Sequence, residues 1–446
     1  MRGRRPSAAR TCARHSPRAL RSGGRPRSSA SRVAELAFYG DDVTGSVDVL
    51  LQAARLGRTG RLFVGRPSAS DLRGAAQAVD VVGVAGIGRS LPTLELDAEV
   101  RPALTALRDA GAPVVQYKAC STADSSPAIG SLGRVLEIGR EVFGEAPVPL
   151  LFAQPDFGRF TAFGTHFAAE NGTVHRLDRQ PTMSAHPSTP IDEADLARFL
   201  ARQTALPIGS VPFTDYTSTG VLRDRIRDAS EAALVLDALD DDHLAVVGAA
   251  VVAGSPAPGF VLGSGGLTRA LLLARPGSGQ EDVGRPAASG PVLVVSGSRS
   301  PATRRQFDAA VAAGWSAFRL APGVRDDVRA SLRAGRSVAL TADDDALTFG
   351  GREPVEAIAR AAASAVRDAL DDGLTRRVVV SGGDTSSRVV RMLGVTSLSL
   401  AARLGGNVVL LRAHSDDAAV DGVELLLKGG QVGADDLFET VRRAGS

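Results

Sequence analysis

Lysine is nearly missing: of the 52 Lys and Arg residues in this 446-residue chain, only Lys118 and Lys428 are Lys. Where Arg fills the ordinary surface positions, these two stand out as places for a compact charge on a flexible stem, suited to a phosphate or a small anion; the plainer alternative is two solvated survivors. Cysteine is scarce too. Cys12 and Cys120 exclude a disulfide framework and a cysteine-based zinc site, and they point to a reducing compartment, the cytoplasm. Long apolar runs are also lacking. The longest nearly uncharged one, Leu244 to Ala253, has ten residues, about half of what a transmembrane helix needs, so no membrane partner is expected.

Acidic residues are absent from one stretch. Residues 1–32 hold ten Arg and no Asp, Glu or Lys, so the formal +3 of the whole chain becomes −7 for the remainder. An acidic folded part removes the general case for a nucleic-acid partner, because docking on phosphates needs a basic face. The Arg-rich segment 1–32 reads as a disordered extension, with a basic nucleic-acid arm and a transit-like segment as alternatives.

What is present is an α/β pattern. The composition, 44% apolar and 23% charged, is that of a globular protein long enough for two or three domains. Strand-like runs at Ala37–Tyr39, Val79–Val84, Pro113–Tyr117, Val148–Phe152 and Ala233–Leu236 alternate with helical spacing at Leu94–Arg108 and Asp195–Gln203. This predicts a mainly parallel sheet covered by helices over residues 34–274. A Pro- and Gly-rich break follows, predicting a linker over 275–290. The alternation restarts over 291–446, with strands at Val292–Val295, Ala317–Leu320, Val378–Val380 and Leu425–Lys428, and helices at Ala302–Ala313 and Pro354–Leu370. Two such domains imply a cleft between them in which two substrates meet.

Several strand ends carry candidate chemistry. Asp41 and Asp42 follow the first strand, where ligands of open α/β sheets bind. They suit polyol hydroxyls and general-base work, or the capping of the next helix. Lys118 follows another strand, ahead of a run of small polar residues that includes Ser121, Thr122 and Asp124; Lys118 and the orphan N–H groups at the next helix start suit a carboxylate or phosphate. Cys120 lacks a nearby His and reads as a packed residue. The segment Val174–Pro190 reads as a polar, Pro-rich loop in which Arg176 and Arg179 could hold a carboxylate bidentately; a purely structural loop fits equally well. In the second half, Ser296 to Pro301, Ser381 to Ser387 and Lys428 to Gly433 place Gly and Ser at strand ends, an arrangement that cradles phosphates. Neither a Walker-type loop nor a strand followed by Gly-x-Gly-x-x-Gly occurs.

Taken in order, Gly40 to Gly45, Tyr117 to Ser126, Arg176 to Pro190, Ser296 to Pro301 and Ser381 to Ser387 resemble the four-carbon acid sugar kinases, formerly a domain of unknown function. The resemblance runs from about Leu36 to the end of the chain. It implies an acid-sugar-binding domain, then a nucleotide-binding domain, and ATP-dependent phosphorylation of a terminal hydroxyl on threonate, erythronate, a 3-oxo-tetronate or a branched 3-oxo acid such as 3-oxo-isoapionate. It further implies Asp41 and Asp42 at the sugar, one as base, with Lys118, Ser121, Thr122, Asp124, Arg176 and Arg179 around the substrate. ATP, with Mg²⁺, would lie on Ser296, Ser298, Gly382, Gly383, Asp384, Thr385, Gly429 and Gly430. A homodimer is compatible with the pattern. Val43 and Ala123 stand where larger apolar residues are usual, and Tyr39-Gly40 replaces Ile-Ala, which marks a separate branch. An aspartate-dependent phosphatase of sugar phosphates, or a nucleic-acid binder led by the Arg-rich arm, are the competing functions; the phosphatase would need Asp-x-Asp-x-Thr, whereas these carboxylates are adjacent.

Overall fold

The computed structural model describes residues 33–254, 256–275, 284, 286–321, 323–342 and 354–444. The extension 1–32 and most of the expected linker lie outside the described residues. In the first half, strands run β1 (Leu36–Gly40), β2 (Gly60–Val64), β3 (Val81–Ala85), β4 (Val114–Lys118), β5 (Val148–Leu151), β6 (Arg159–Ala162), β7 (Thr165–Glu170), β8 (Thr173–Arg176), β9 (Ile208–Val211), β10 (Ala233–Leu236) and β11 (Gly259–Gly263). The second half adds β12 (Val292–Ser296), β13 (Ser316–Arg319), β14 (Val338–Thr341), β15 (Arg377–Ser381), β16 (Ser397–Gly405), β17 (Val408–His414) and β18 (Glu424–Lys428).

Strands such as β1 and β3 are apolar along their length because both faces are covered, as a parallel sheet between helices requires. The apolar run Leu244–Ala253 forms a helix (Asp241–Gly254), not a strand. Expected strands and helices match the observed ones to within two residues at most ends. Two features differ. The sheets of the two halves are one hydrogen-bonded sheet of 15 strands, ordered β13-β14-β12-β15-β18-β17-β16-β2-β3-β1-β4-β11-β5-β10-β9. The join is antiparallel, Ser397 opposite Phe63 and Leu398 opposite Leu62. One apolar layer crosses it, running from Val43 and Leu50 in the first half to Val389 and Leu393 in the second.

The second difference is a separate three-stranded antiparallel ribbon, β6-β7-β8. Its turns are Phe163-Gly164 and Asn171-Gly172, with φ near 51°, 74°, 50° and 79°, the paired positive angles that tight hairpins require. The segment read as an irregular loop from Val174 therefore begins as strand β8, paired to β7 by Ala169 opposite Val174. It becomes irregular only beyond the short helix Pro181–Ser184. No helix among the described residues is long and apolar enough to cross a membrane.

Candidate active site

Parallel register brings the first-half candidates together. Gly40, at the end of β1, stands opposite Ala85 of β3 and Lys118 of β4, so the loops that follow these strands share one edge of the sheet. Helix α1 (Val43–Arg55) starts at once. Asp42 is its N-cap, accepting from the Gly45 amide and, at 2.9 Å, from the Thr44 hydroxyl. The capping role is thus real.

Arg89, which sequence reasoning missed, ties the aspartates together. Its guanidinium donates to both Asp41 oxygens at 2.7 and 3.2 Å and to Asp42 Oδ2 at 2.8 Å. The loop that carries it lies flat on two stacked tyrosines, Tyr39 and Tyr117. A Cβ at Gly86 would come within 1.8 Å of the Tyr39 hydroxyl, and one at Gly88 within 2.7 Å of the Tyr117 hydroxyl, so only glycine allows the approach. The available signal was Gly86-Ile87-Gly88-Arg89 directly after a strand. Asp41 and Asp42 differ in environment. Asp41 is 2% exposed, and burial pushes its carboxyl above its ordinary value against the pull of Arg89; Asp42 keeps 21% exposure.

A cavity of about 220 Å³ opens beside this group, with walls from both halves. Thr44, Asp48, Arg89, Lys118, Ser121 and Gln154 line it from the first half, and Asn407, Lys428, Gly429 and Val432 from the second. The two lysines of the chain are buried in the walls of one cavity, one from each half, which disposes of the solvated alternative. Lys118 Nζ lies 3.8 Å from Asp48, whose carboxylate is also held by Gln154 at 3.1 and 3.2 Å and Gln52 at 3.1 Å. Asp48 was likewise not singled out from the sequence. Gln154, its orienting partner, is more than 100 residues away, and only the fold joins them.

Ser121 reaches the cavity because its carbonyl is pinned by the buried His166, whose Nε2 donates at 2.8 Å while Nδ1 faces the Thr161 hydroxyl at 2.9 Å. Burial pushes His166 down to about 3, so the ring is a neutral strut. Thr122 stays within its own loop, meeting the Cys120 thiol at 3.2 Å, whereas Asp124 ties that loop to the segment beyond the ribbon by accepting from the Thr189 hydroxyl. Arg176 and Arg179 are exposed on the ribbon side, and Arg176 is paired with Asp178; neither lines the cavity.

In the second half the three Gly/Ser clusters converge. A Cβ on Gly297 would fall 2.4 Å from the Thr385 hydroxyl and one on Gly430 2.5 Å from that of Ser298. Gly382 takes a φ of 114° to open the helix Gly383–Met392. Gly430 accepts from Thr303 at 2.9 Å and from Ser300, and Ser298 donates its amide to Ser296 at 3.2 Å. Gly383 faces the first half, its Cβ direction ending 3.8 Å from Thr44 Oγ1. The side chain of Asp384 lies outside the described residues. The β16–β17 turn is clasped from the other side, Arg55 of α1 donating to the Gly406 carbonyl at 3.1 Å and Asn407 Oδ1 at 2.7 Å. Arg55→Ala, which frees this cavity wall, is expected to raise both KM values several-fold with about 1 kcal/mol or less lost in stability, checked by steady-state kinetics and denaturant unfolding.

Gly/Ser loops at the strand ends of one half, beside a cavity that both halves line, are an arrangement suited to a two-substrate phosphotransferase, and the comparisons point to that class. Residues 36–271 match the model of a sugar-binding N-terminal domain and residues 293–438 that of a nucleotide-binding C-terminal domain. A 3-oxo-isoapionate kinase of Paraburkholderia graminis is 36% identical, over 91% of this chain and 94% of that protein. A 3-oxo-tetronate kinase of Pseudomonas fluorescens is 31% identical, over 90% and 95%. The solved structure of a Salmonella typhimurium LT2 protein has the same fold, with a TM-score of 0.72 at 24% identity, over 92% of this chain and 98% of that one. The chain belongs to the four-carbon acid sugar kinase family. It is a kinase that uses ATP, acting on a small molecule.

Proposed function

We propose that this chain moves the terminal phosphoryl group of ATP to the terminal hydroxyl of a short acyclic 3-oxo sugar acid. Its greater similarity to the 3-oxo-isoapionate kinase than to the 3-oxo-tetronate kinase supports a branched acid. The observation that carries the reading is the shared cavity, with Lys118 on the sugar side and Lys428 on the nucleotide side. We place the substrate carboxylate on Lys118 and Ser121, with Arg89 in the role expected of Arg176 and Arg179. The hydroxyl oxygen bonds to the terminal phosphorus as the bond from phosphorus to the ADP oxygen breaks, and the hydroxyl proton passes to Asp42. Asp42 suits this better than Asp41 because it retains exposure.

The triphosphate lies on the loops of Ser296, Ser298, Gly382, Gly383, Thr385, Gly429 and Gly430. Mg²⁺ carried by phosphates needs only one or two protein carboxylates, and its role is to neutralise the charge they gather. Asp384, in the first turn of the Gly383–Met392 helix, is our assignment for that contact. The reaction is placed in the cytoplasm, where a free thiol such as Cys120 stays reduced. Purified protein with MgATP and a panel of four-carbon and branched sugar acids is expected to release ADP with at least one 3-oxo acid. Release no faster than the acid-free rate with every member would overturn the reading.

A further inference from the structure

Lys428 ends β18 opposite Ser381 of β15, which in turn stands beside Ser296 of β12. Matching positions on adjacent parallel strands present their side chains on one face. Lys428 is 1% exposed. Its hydrogen bonds go to the Thr303 hydroxyl at 3.0 Å, the Ser381 hydroxyl at 3.0 Å and the Gly430 carbonyl at 3.4 Å. Among the described residues no carboxylate pairs with it, in contrast to Lys118 and Asp48. Burial alone pulls Lys428 down to about 8, with no opposing charge to hold it up.

A buried cation surrounded only by neutral acceptors is costly unless an anion completes it. The neighbours suit that completion. Thr303 lies 3.2 Å from Ser298 and 3.3 Å from Ser381, and these hydroxyls can rotate to donate to phosphate oxygens beside the ammonium. The Gly430 carbonyl is already occupied by Ser300 and Thr303, so it keeps partners if Lys428 turns toward a ligand.

We propose that Lys428 is a catalytic residue that grips a non-bridging oxygen of the terminal phosphate of ATP and stays with the phosphoryl group through transfer. This rests on the nucleotide reading of the second half. The bond from phosphorus to the ADP oxygen breaks with its electron pair going to ADP, the bond to the substrate oxygen forms, and Lys428 gives up no proton. It balances charge on the moving group, a stabilisation that typically accounts for roughly 10²–10³-fold in kcat.

Because the chain has two lysines, protein grown on lysine labelled with ¹³C at Cε gives two side-chain signals. Lys428→Met assigns one by its loss. A non-hydrolysable ATP analogue is expected to shift the Lys428 signal strongly and AMP to shift it little. Lys428→Met is expected to lower kcat by roughly 10²–10³-fold, leaving AMP affinity within about threefold, and Lys428→Arg to fail to restore turnover because a planar fork replaces a point charge. Should calorimetry show the analogue bound while the Lys428 signal stays fixed, or Lys428→Met keep its turnover, the assignment is wrong. Should no nucleotide bind the unaltered protein, the reading of the second half fails first and this assignment with it. Where the Met variant does not fold, loss of the same signal in Lys428→Arg assigns it, and the titration of the unaltered protein stands.

Discussion

Asp42→Asn is expected to lower kcat by roughly 10²–10⁴-fold, the range for loss of a general base, while ATP affinity stays within about threefold. The choice of Asn matters. Asn caps a helix about as well as Asp, so the bond from the Gly45 amide and the start of α1 survive the change. Arg89 keeps its two bonds to Asp41 and so remains in place. What disappears is the negative charge on a partly buried group beside the cavity. ADP-release rates with the best sugar acid, together with calorimetry of ATP binding, separate the two effects. Normal turnover in this variant would remove the carboxylate from the mechanism.

The largest expected stability effect lies at the other end of the same strands. Arg377 begins β15, whose last residue is Ser381, so it stands at the edge remote from the cavity. Its guanidinium meets Glu424 at 2.7 and 2.9 Å with the side chains 3% and 1% exposed. It also donates to the carbonyls of Ala288 at 2.6 Å, Val441 at 2.9 Å and Ala444 at 2.6 Å. Arg377→Met leaves Glu424 buried and unpaired, which typically costs about 3–5 kcal/mol. Adding Glu424→Gln removes the stranded charge and is expected to recover part of the loss. Denaturant unfolding of the single and double variants, with kcat measured well below the transition, checks both points. A single variant as stable as the parent would show that the pair carries no such cost.

The parallel core was legible because strands covered on both faces are written as unbroken apolar runs, and Val292–Val295 or Ala233–Leu236 allow little else. The antiparallel parts were harder. The β16–β17 hairpin announces its turn with Gly405-Gly406-Asn407, yet its strands mix Ser, Arg and apolar residues because burial varies along them. The ribbon has its Asn171-Gly172 turn, but short half-exposed strands such as Thr173–Arg176 look like loop. At the candidate site, the residues next to strand ends stand out in the sequence: Asp42, Lys118, Ser121 and the glycine loops. Asp48 and Gln154 do not, because only the fold brings them together; Arg89 had a local signal in its glycine turn after a strand, but its carboxylate partners are distant in sequence. Arg176 and Arg179 show the converse, since a pair of Arg in a polar segment carries no information about which way the segment faces.

The crease where β2 meets β16 sets how such a molecule can breathe. Beyond the pairing of Phe63 with Ser397 and Leu62 with Leu398, it is held by the Val64 amide on the Thr396 carbonyl at 3.0 Å and by Arg61 on the Ser397 hydroxyl at 3.2 Å. Letting a phosphorylated product out by parting the halves would tear these bonds, whereas flexing the sheet along that line keeps them. Turnover paced by release should then respond to stiffness along this narrow fold line more than to the length of chain that connects the halves.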